Sequence, residues 1–522
     1  MPAFTKGRPG SFGLLLALIL GTTGAAMGDT DRIRPPAVAG KFYSDEAPAL
    51  EAGIRAYLDD AVPGGETAPA VLVAPHAGYI YSGQIAADAW AQARGHDYDV
   101  IVLLGTHHTA PGFSGISVFQ GAGYRTPLGI ARLDTSLAAH LLEVGGDAVT
   151  FRPEVHRREH SVEVQVPFAQ ILFPDVPLLP AVVGAVDPGR AGRLGTLLAR
   201  SLAHRKALVV ASSDLSHYPT AEAAREIDAQ TLLALVSGDP VDLHRRIRER
   251  MQRGEPGLVT CACGRGPLLV ALAAAREMGA RKARVLSYAH SGWTAMGKPS
   301  RVVGYGAAAF YPGPGEASSE ALDLPRPGDD AGVLGADERR ILLNLARETL
   351  HRVMESATAP LARNLPTRLW TRQGAFVTLH RNRRLRGCIG HMAEDRPLFQ
   401  VVQAMAIQAA FDDPRFSPVT LEELKDITIE ISVLTPFKTV DSPEAIRVGR
   451  DGVRLDKEGR RAVFLPQVAP EQGWDRVQTL DHLCRKAGLP VGCWRQGARL
   501  STFQAQVFSE DGDSDSPAAA PG

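Results

Sequence analysis

The chain has 522 residues, of which 57 are lysine or arginine and 57 are aspartate or glutamate, so its formal net charge is zero. One hydrophobic core rarely serves a chain of this length, which predicts two or three domains. The balanced charge shows no basic excess of the kind that marks nucleic-acid binding, so we predict no nucleic-acid partner. Five cysteines, an odd and sparse set, do not indicate a framework of disulfides.

The first 28 residues have the order of a secretory signal peptide. Lys6 and Arg8 precede an apolar stretch from Phe12 to Leu20, and small residues follow as far as Gly28. The apolar stretch is too short to cross a bilayer comfortably, so we expect a cleaved export signal and not an integral membrane protein. The alternative is a leader on a cytoplasmic protein. Export would require unpaired thiols to be buried, metal-bound or reactive.

Between residues 34 and 311, short apolar runs alternate with helical patterns, which predicts an α/β layered domain. Apolar runs without alternation are typical of parallel strands that are buried on both faces. Three of these runs are each followed by a histidine in a loop: 71–74 by His76, 100–104 by His107, and 207–211 by His217. Ligands gather beyond the carboxyl ends of such strands, so this pattern predicts a metal or catalytic centre.

Two histidines and one cysteine are the candidate metal ligands. Neutral imidazole suits zinc, copper and iron, which makes His76 and His107 the first two candidates. Cys263 is the third, because it lies where a loop opens into an apolar helix and the helix dipole lowers the pKa of a thiol there. The alternative is that Cys261 and Cys263 are ordinary core residues. We expect His108 to support its neighbour, since adjacent residues seldom point at one ion.

Further residues are candidates for proton transfer and for the pocket around the centre. In a tight loop, Asp214 would accept a ring N–H of His217 and leave the other nitrogen for proton transfer or for the metal. Otherwise Asp214 would cap the next segment. His160 and Glu163 are pocket candidates or surface charges, and periodicity does not decide between helix and strand around them. Tyr79 would line the pocket or belong to the core.

The remainder of the chain predicts a second domain between two disordered segments. Residues 312–337 are rich in Pro, Gly, Ser, Glu and Asp, which predicts a disordered linker. Residues 338–508 begin with an amphipathic helix and include an alternating strand at 427–434, a texture typical of a smaller α+β domain. The acidic, small-residue tail at 509–522 is predicted to be disordered.

Six segments of the first domain, in chain order, carry a family resemblance: Pro35–Tyr43, Pro75–Tyr79, Gly105–His108, Glu159–Ser161, Ser212–His217 and Cys263–Arg265. They resemble the Memo family, which is similar in fold to the catalytic subunit of class III extradiol dioxygenases. Those enzymes use non-haem ferrous iron to open catechol rings. The resemblance implies His76, His107 and Cys263 as ligands of one redox metal and His217, beside Asp214, as the acid/base group.

The resemblance also directs the choice of metal and reaction. A thiolate stands where the dioxygenases have a carboxylate, and soft sulfur favours copper(I) over ferrous iron, with zinc less expected. The resemblance therefore implies a non-haem copper or iron protein with dioxygenase-like or other redox activity on an unknown small molecule or peptide, and the changed ligand argues against ring cleavage itself. Two alternatives remain. One is a binding module that captures a peptide or anion through His160, His217 and Arg265, and the other is a zinc-dependent hydrolase.

Four segments of the second domain carry another resemblance: Leu385–Gly390, Asp412–Phe416, Ile429–Leu434 and Phe464–Val468. They resemble the AMMECR domain, whose biochemical role is not established. Arg386, Gly387 and Cys388 permit two interpretations, a reactive thiol or a strand turn with a buried cysteine, and we favour the turn. Memo-like, AMMECR-like and radical SAM proteins occur together as a three-component set, so the resemblance implies a radical SAM protein as a functional partner.

Overall fold

A computed structural model of the chain describes residues 33–315, 318–319, 322, 332–363 and 365–512. The predicted signal peptide, 1–28, lies outside the described residues, as do half of the predicted linker (316–317, 320–321 and 323–331) and residues 513–522 of the predicted tail. Among the described helices, none combines the length and the apolar character that a bilayer crossing requires.

The first domain is an α/β unit. Its strands are β1 (Ile33–Arg34), β2 (Val71–Ala74), β3 (Val100–Thr106), β4 (Ile116–Val118), β5 (Gly123–Thr126), β6 (Gly129–Arg132), β7 (Val149–Thr150), β8 (Leu178–Val183), β9 (Ala207–Ser212), β10 (Lys282–His290) and β11 (Gly304–Tyr311). Its helices are α1 (Ala47–Asp59), α2 (Tyr79–Trp90), α3 (Thr135–Gly145), α4 (Pro153–Arg157), α5 (Val166–Leu172), α6 (Pro188–Ser201), α7 (Ala221–Val236), α8 (Pro240–Gln252) and α9 (Arg265–Glu277).

An eight-stranded sheet forms the centre of this domain, in the order β10-β11-β2-β9-β3-β8-β4-β7. Strands β2, β9, β3 and β8 run parallel to one another, and every residue in them is buried. The prediction of buried parallel strands is therefore confirmed. Ala74 pairs with Ser212 and Leu104 with Ala211, so β2, β3 and β9 end at the same edge of the sheet. Their three histidine-bearing loops consequently share that edge.

The segment that periodicity left undecided is not a strand. Glu163–Gln165 forms a short 3₁₀ turn that continues into α5. Val162, Val164 and Val166 alternate in sequence, but they are all buried, because this segment is enclosed on every side. Full enclosure removes the polar face that would give a helix its recognisable period.

The second domain is α+β, as predicted. Its strands are β12 (Ala375–Arg381), β13 (Arg384–His391), β14 (Ile427–Leu434), β15 (Lys438–Val440), β16 (Gly452–Lys457), β17 (Arg460–Phe464), β18 (Arg499–Phe503) and β19 (Ala505–Ser509). Its helices are α10 (Ala336–Ser356), α11 (Leu398–Phe411), α12 (Leu421–Leu424), α13 (Val468–Glu471) and α14 (Arg476–Lys486). Two four-stranded antiparallel sheets result, β13-β12-β14-β19 and β15-β18-β16-β17.

Parts of the segments predicted to be disordered are held by hydrogen bonds. Ser318, within the predicted linker, donates to the backbone of Ala283 and accepts from Val285, both in the edge strand β10. Backbone pairing with an edge strand needs no apolar side chain, which is why composition did not indicate it. At the other end, Glu510 accepts hydrogen bonds from the backbone N–H of Ile429 and from Arg347, so the domain extends into the predicted tail.

Cys484 and Cys493 form a disulfide, which the sparse cysteine set did not predict. The bond joins α14 to the turn that precedes β18, within a small core that also contains Leu455 and Leu480. Cys261, Cys263 and Cys388 are free thiols.

The two domains pack against each other. The ring centroids of Trp293 and Trp370 lie 5.1 Å apart, edge to face, across the domain boundary. Asp88 of α2 accepts two hydrogen bonds from Arg363, at 2.9 and 2.6 Å. Gln400 of α11 donates to the carbonyl of Thr294 at 3.0 Å. The second domain therefore holds α2, the helix that follows the His76 loop.

Candidate metal centre

His76 is the residue around which the other donors collect. Its backbone N–H donates to Asp214 Oδ1 at 2.7 Å, which fixes the loop after β2 to the loop after β9. Its ring is almost fully buried, and Nδ1 lies 3.0 Å from Ser212 Oγ. Cys263, in the loop before α9, places Sγ 3.1 Å from Nε2 of the same ring.

Hydrogen bonding around Ser212 assigns the tautomer of His76. The Ser212 hydroxyl donates to the carbonyl of Ser161 at 2.6 Å, and it also receives an N–H from Gln165. Because the hydroxyl proton is used, Ser212 Oγ acts as an acceptor toward His76, and Nδ1 carries the proton. Nε2 therefore presents a lone pair toward Cys263, as a metal-binding histidine does. Burial, followed by the charge of His108, lowers the pKa of His76 well below its ordinary value, which favours this neutral form.

Two sets of potential ligands share His76. One consists of His76, His108 and His160, and the other of His76, Asp214 and Cys263. Within each set, all donor atoms lie within 4.8 Å of one another. Nitrogen, sulfur and carboxylate donors at such separations fit a transition-metal ion.

The environment of Cys263 differs from the sequence expectation. Burial first, and then the charge of Asp214, raises the pKa of Cys263 well above its ordinary value. The predicted lowering by the α9 dipole is therefore wrong for the protein without a cation, because desolvation outweighs a helix-end effect. A bound metal ion would reverse the balance, since a positive charge favours the thiolate.

The two adjacent histidines point differently from the prediction. Glu159 accepts the backbone N–H of His108 at 2.6 Å and faces its Nδ1 at 2.8 Å, and the His108 ring stacks on His160 with centroids 4.4 Å apart. The ring of His107 instead places Nδ1 3.3 Å from the carbonyl of Val183. His108 thus belongs to a donor set and His107 does not, because Glu159 holds the His108 ring toward the centre while the His107 ring faces Val183.

Glu159 is the residue that the sequence analysis did not select. It is buried, it lies 3.5 Å from His160 Nδ1, and it accepts the backbone N–H of Ser161. Burial alone would raise the pKa of Glu159, but the hydrogen bond and charge of His108 outweigh burial and lower that pKa to about 2. A carboxylate that stays ionised orients the two histidines and supplies negative charge to the centre. Its place beside His160 in the sequence was the available signal.

The predicted hydrogen bond between Asp214 and His217 is absent. Asp214 Oδ2 and His217 Nε2 are 3.9 Å apart, too far for a hydrogen bond, because the loop is set by the bond of Asp214 to His76. His217 Nε2 is buried and has no hydrogen-bond partner among the described residues. Burial lowers the pKa of His217, although the charge of Asp214 acts in the opposite direction. His217 therefore faces the centre with an unused nitrogen.

Two predicted pocket residues, Glu163 and Tyr79, have other roles. Glu163 forms a buried ion pair with Arg34 and accepts the hydroxyl of Tyr43, so it anchors the start of the described chain and does not face the centre. Tyr79 is buried and donates its hydroxyl to the carbonyl of Val164 at 2.7 Å, which makes it a core residue. Arg265 lies near His244 of α8, and its charge, after burial, lowers the pKa of that histidine.

The AMMECR motif is built mainly for structure. A Cβ at Gly387 would lie 2.1 Å from the carbonyl oxygen of Ala409, so only glycine fits there. Arg386 pairs with Glu423 at 3.1 Å. Cys388 donates its backbone N–H to Asp413 and receives a hydrogen bond from Thr378 at Sγ, and it is only partly buried. Gly387 and Cys388 lie within β13, paired with Leu379 and Thr378, so the expected turn is not there, and the glycine instead permits the close approach of α11. The thiol is only partly buried, not buried as the turn interpretation expected.

The fold and the donors define an α/β protein with a candidate metal centre at the carboxyl edge of a parallel sheet, followed by an antiparallel α+β domain. Comparison with known families gives the same division. The family model described as Memo-like protein matches residues 34–309, and the model described as AMMECR1 matches residues 343–508. The chain belongs to the Memo family and carries an AMMECR1 domain after its Memo domain.

Relatives cover the two parts separately. A MEMO1 family protein of Methanosarcina mazei is 36% identical over 278 residues, which are 53% of this chain and 98% of that protein. A protein of Methanothermobacter thermautotrophicus is 43% identical over 187 residues, which are 34% of this chain and 97% of that protein. The crystal structure of an uncharacterized protein from Pyrococcus horikoshii is 36% identical, covers 34% of this chain and 95% of its own, and has a TM-score of 0.33.

Proposed function

We propose that the protein binds one redox-active metal ion, copper or iron, and uses it in a dioxygenase-like or other redox reaction. The observation that carries the proposal is the 3.1 Å separation of His76 Nε2 and Cys263 Sγ, on a ring whose other nitrogen is already engaged by Ser212. Imidazole and thiolate form a soft donor set that suits copper(I), and thiolates also hold iron. The proposed substrate is a small molecule or a peptide.

The third ligand is the point at which the resemblance and the geometry differ. The Memo resemblance implies His107, whereas the donor sets contain His108, His160 and Asp214. We propose that His108 moves toward Cys263 to complete the site when a metal binds, because Glu159 already orients the His108 ring toward His76. His108 and Cys263 each share a donor set with His76, but not with each other. Proteins usually order a metal site by hydrogen bonding the free ring nitrogen of a ligating histidine to a carboxylate that does not itself bind the metal.

A bound copper or iron ion would supply one-electron redox chemistry. His217 would hold or release a proton at Nε2, the buried nitrogen that has no partner among the described residues. Asp214, 3.9 Å away, would stabilise the protonated ring. Glu159 would keep His108 and His160 in position.

Elemental analysis of protein purified without oxygen or chelators tests this proposal. We expect about one copper or iron ion per chain, lost in His76→Ala and in Cys263→Ala. Cys261→Ala is the matched control, because that buried thiol contacts Met251 and belongs to neither donor set. Zinc in the parent would favour the zinc-dependent hydrolase. A folded parent that binds no metal after reconstitution would favour the peptide- or anion-binding module of His160, His217 and Arg265.

We also propose that the protein is exported. Residues 1–28 support export, and so does the Cys484–Cys493 disulfide, because disulfides persist in oxidising compartments. A radical SAM partner, which rests on the resemblance alone, would require contact with the reducing cytosol. Cell fractionation, followed by alkylation of free thiols and mass spectrometry of the chain, distinguishes export from a cytoplasmic location. A shortened, disulfide-bonded chain in the exported fraction supports export, and a full-length reduced chain in the cytosol supports the cytoplasmic alternative.

A further inference from the structure

A cavity of about 250 Å³ lies beside the candidate metal centre, between the two domains. Both domains line it, the first with Lys41, Phe42, Asp45, Leu50 and Ile80, and the second with Ala357. Phe42 is shared with the centre, because its ring also meets His160 edge-on with centroids 4.9 Å apart. The cavity therefore adjoins the metal centre but is lined by residues outside both donor sets.

The second domain reaches the cavity through a turn at the end of α10. Ala357 adopts a left-handed conformation with φ of 53°, which ends the helix, and its N–H donates to the carbonyl of Val353. The chain then lies directly on α1. A Cβ at Gly53 would come within 2.8 Å of the Thr358 methyl group, so the absence of a side chain at Gly53 permits this approach. The wall formed by Ala357 is thus fixed by packing.

Two opposite charges stand at the rim of the cavity. Lys41 and Asp45 are both exposed, and neither forms an ion pair with any described residue. The chain turns tightly at Lys41 and Phe42, where the N–H of Gly40 donates to the carbonyl of Tyr43 at 2.8 Å. One loop therefore presents an ammonium group and a carboxylate, four residues apart, beside a lining that contains both apolar side chains and the hydroxyl groups of Ser44, Ser356 and Thr358.

The size and the walls limit what can enter. Pockets for drug-sized ligands measure roughly 300–1,000 Å³, so this cavity suits a single ring with a short substituent. Phe42, Leu50 and Ile80 provide apolar contacts, and aromatic rings favour edge or offset contact with a phenylalanine ring. Unpaired charges of both signs at the rim complement a ligand that carries both an ammonium group and a carboxylate.

We propose that this cavity binds a free aromatic amino acid. The ring lies against Phe42 and Leu50, the carboxylate faces Lys41, and the ammonium group faces Asp45. The proposal goes beyond the metal chemistry and does not depend on it, since no residue of the donor sets takes part in the recognition of the ligand.

Isothermal titration calorimetry of the full chain with L-phenylalanine tests the proposal. We expect saturable binding at one site with a Kd below about 1 mM. Phenylacetate lacks the ammonium group and phenethylamine lacks the carboxylate, so each should bind more weakly. Lys41→Met and Asp45→Asn should each weaken L-phenylalanine binding roughly two- to five-fold, the range expected for one exposed charge pair. Lys41→Met should leave phenethylamine binding unchanged, and Asp45→Asn should leave phenylacetate binding unchanged.

A substitution in the second domain tests whether both domains form the site. Ala357→Trp should fill the cavity and weaken L-phenylalanine binding at least about ten-fold, a difference in binding free energy of about 1.4 kcal/mol. Val477→Trp on α14 is the control, because that exposed position adds the same ring elsewhere. Thermal melts verify that each variant is folded. The proposal is overturned if the folded parent shows no saturable binding, if Ala357→Trp binds like the parent, or if either single-charge analogue binds as tightly as L-phenylalanine.

Discussion

His76 stands between Ser212 and Cys263, with Nδ1 3.0 Å from the Ser212 hydroxyl and Nε2 3.1 Å from the Cys263 sulfur. The Ser212 hydroxyl donates its proton to the carbonyl of Ser161, so toward the His76 ring Ser212 can only accept a hydrogen bond. The serine therefore determines which nitrogen of His76 is available as a ligand. Ser212 is the last residue of β9, so the hydroxyl that fixes the His76 tautomer is positioned by the central sheet.

Ser212→Ala should weaken metal binding without removing a ligand. Without the Ser212 hydroxyl, nothing fixes the tautomer and the ring orientation of His76. Loss of a hydrogen-bond partner of a ligating histidine lowers metal affinity by about 10- to 100-fold. Competition with a chromophoric chelator measures the change. Ser117→Ala is the control, because Ser117 is equally buried but contacts His156. Equal affinities for Ser212→Ala and the parent would contradict the assigned tautomer.

His108→Ala and His107→Ala distinguish the geometry from the family resemblance. If His108 is the ligand, His108→Ala should abolish stoichiometric metal binding, while His107→Ala should retain it, because the His107 ring faces the carbonyl of Val183. Metal content after dialysis gives the answer. The opposite pattern would show that the 106–108 loop turns over when a metal binds, with His107 replacing His108.

These two histidines also show what a sequence can and cannot predict here. The uninterrupted apolar runs of β2, β3 and β9 were enough to place three histidine loops at one edge of a sheet, since burial on both faces leaves no alternation. Which of His107 and His108 turns inward depends on Glu159, about fifty residues away along the chain. Likewise, the tautomer of His76 depends on Ser161 through Ser212, and neither contact leaves a local pattern.

The domain interface and the linker were beyond sequence reasoning for the same reason. Asp88 and Arg363 are 275 residues apart and resemble surface charges in the sequence, yet Asp88 is completely buried. The pairing of Ser318 with β10 uses backbone groups, which composition does not reveal. The domain interface and the ordered part of the linker depend on polar contacts between distant residues, whereas the hydrophobic pattern was enough to predict the two domains.

Asp228 should make the protein less stable as the pH rises from about 4 to about 7. Burial raises the pKa of this carboxyl to about 7, although Ser216 and Tyr288 donate hydrogen bonds to it. In the unfolded chain it ionises near pH 4, so between these values the folded state binds the extra proton and loses stability with rising pH. The loss is complete above about pH 7 and amounts to at most about 4 kcal/mol.

The difference between the parent and Asp228→Asn isolates this group from other titrating residues. Thermal melts at pH 5 and pH 8 should show a smaller decrease for the variant, because an amide has no charge to bury. Asparagine keeps an acceptor for the backbone N–H of Ser216, which limits the structural cost of the change. A parent and variant with identical pH dependence would mean that Asp228 does not titrate in this range.

Arg363→Met should destabilise the whole chain, because it leaves the carboxylate of Asp88 buried without its partner. Burial raises the pKa of Asp88, and the charge of Arg363 opposes that rise, while Ser287 and the backbone of Val62 supply the remaining hydrogen bonds. Breaking a buried ion pair from one side costs about 3–5 kcal/mol. Urea unfolding followed by tryptophan fluorescence measures the loss, since Trp293 and Trp370 meet across the same boundary.

The double variant Asp88→Asn with Arg363→Met distinguishes the contribution of the ion pair to stability from the contribution of the packing of the Arg363 side chain. Replacing the carboxylate by an amide removes the unpaired charge, so the double variant should recover part of the stability that Arg363→Met loses. Arg55→Met is the control, because its pair with Glu51 is exposed and contributes little. If the double variant is as unstable as the sum of both single variants, the two charges do not interact, and the other contacts across the boundary hold the domains together.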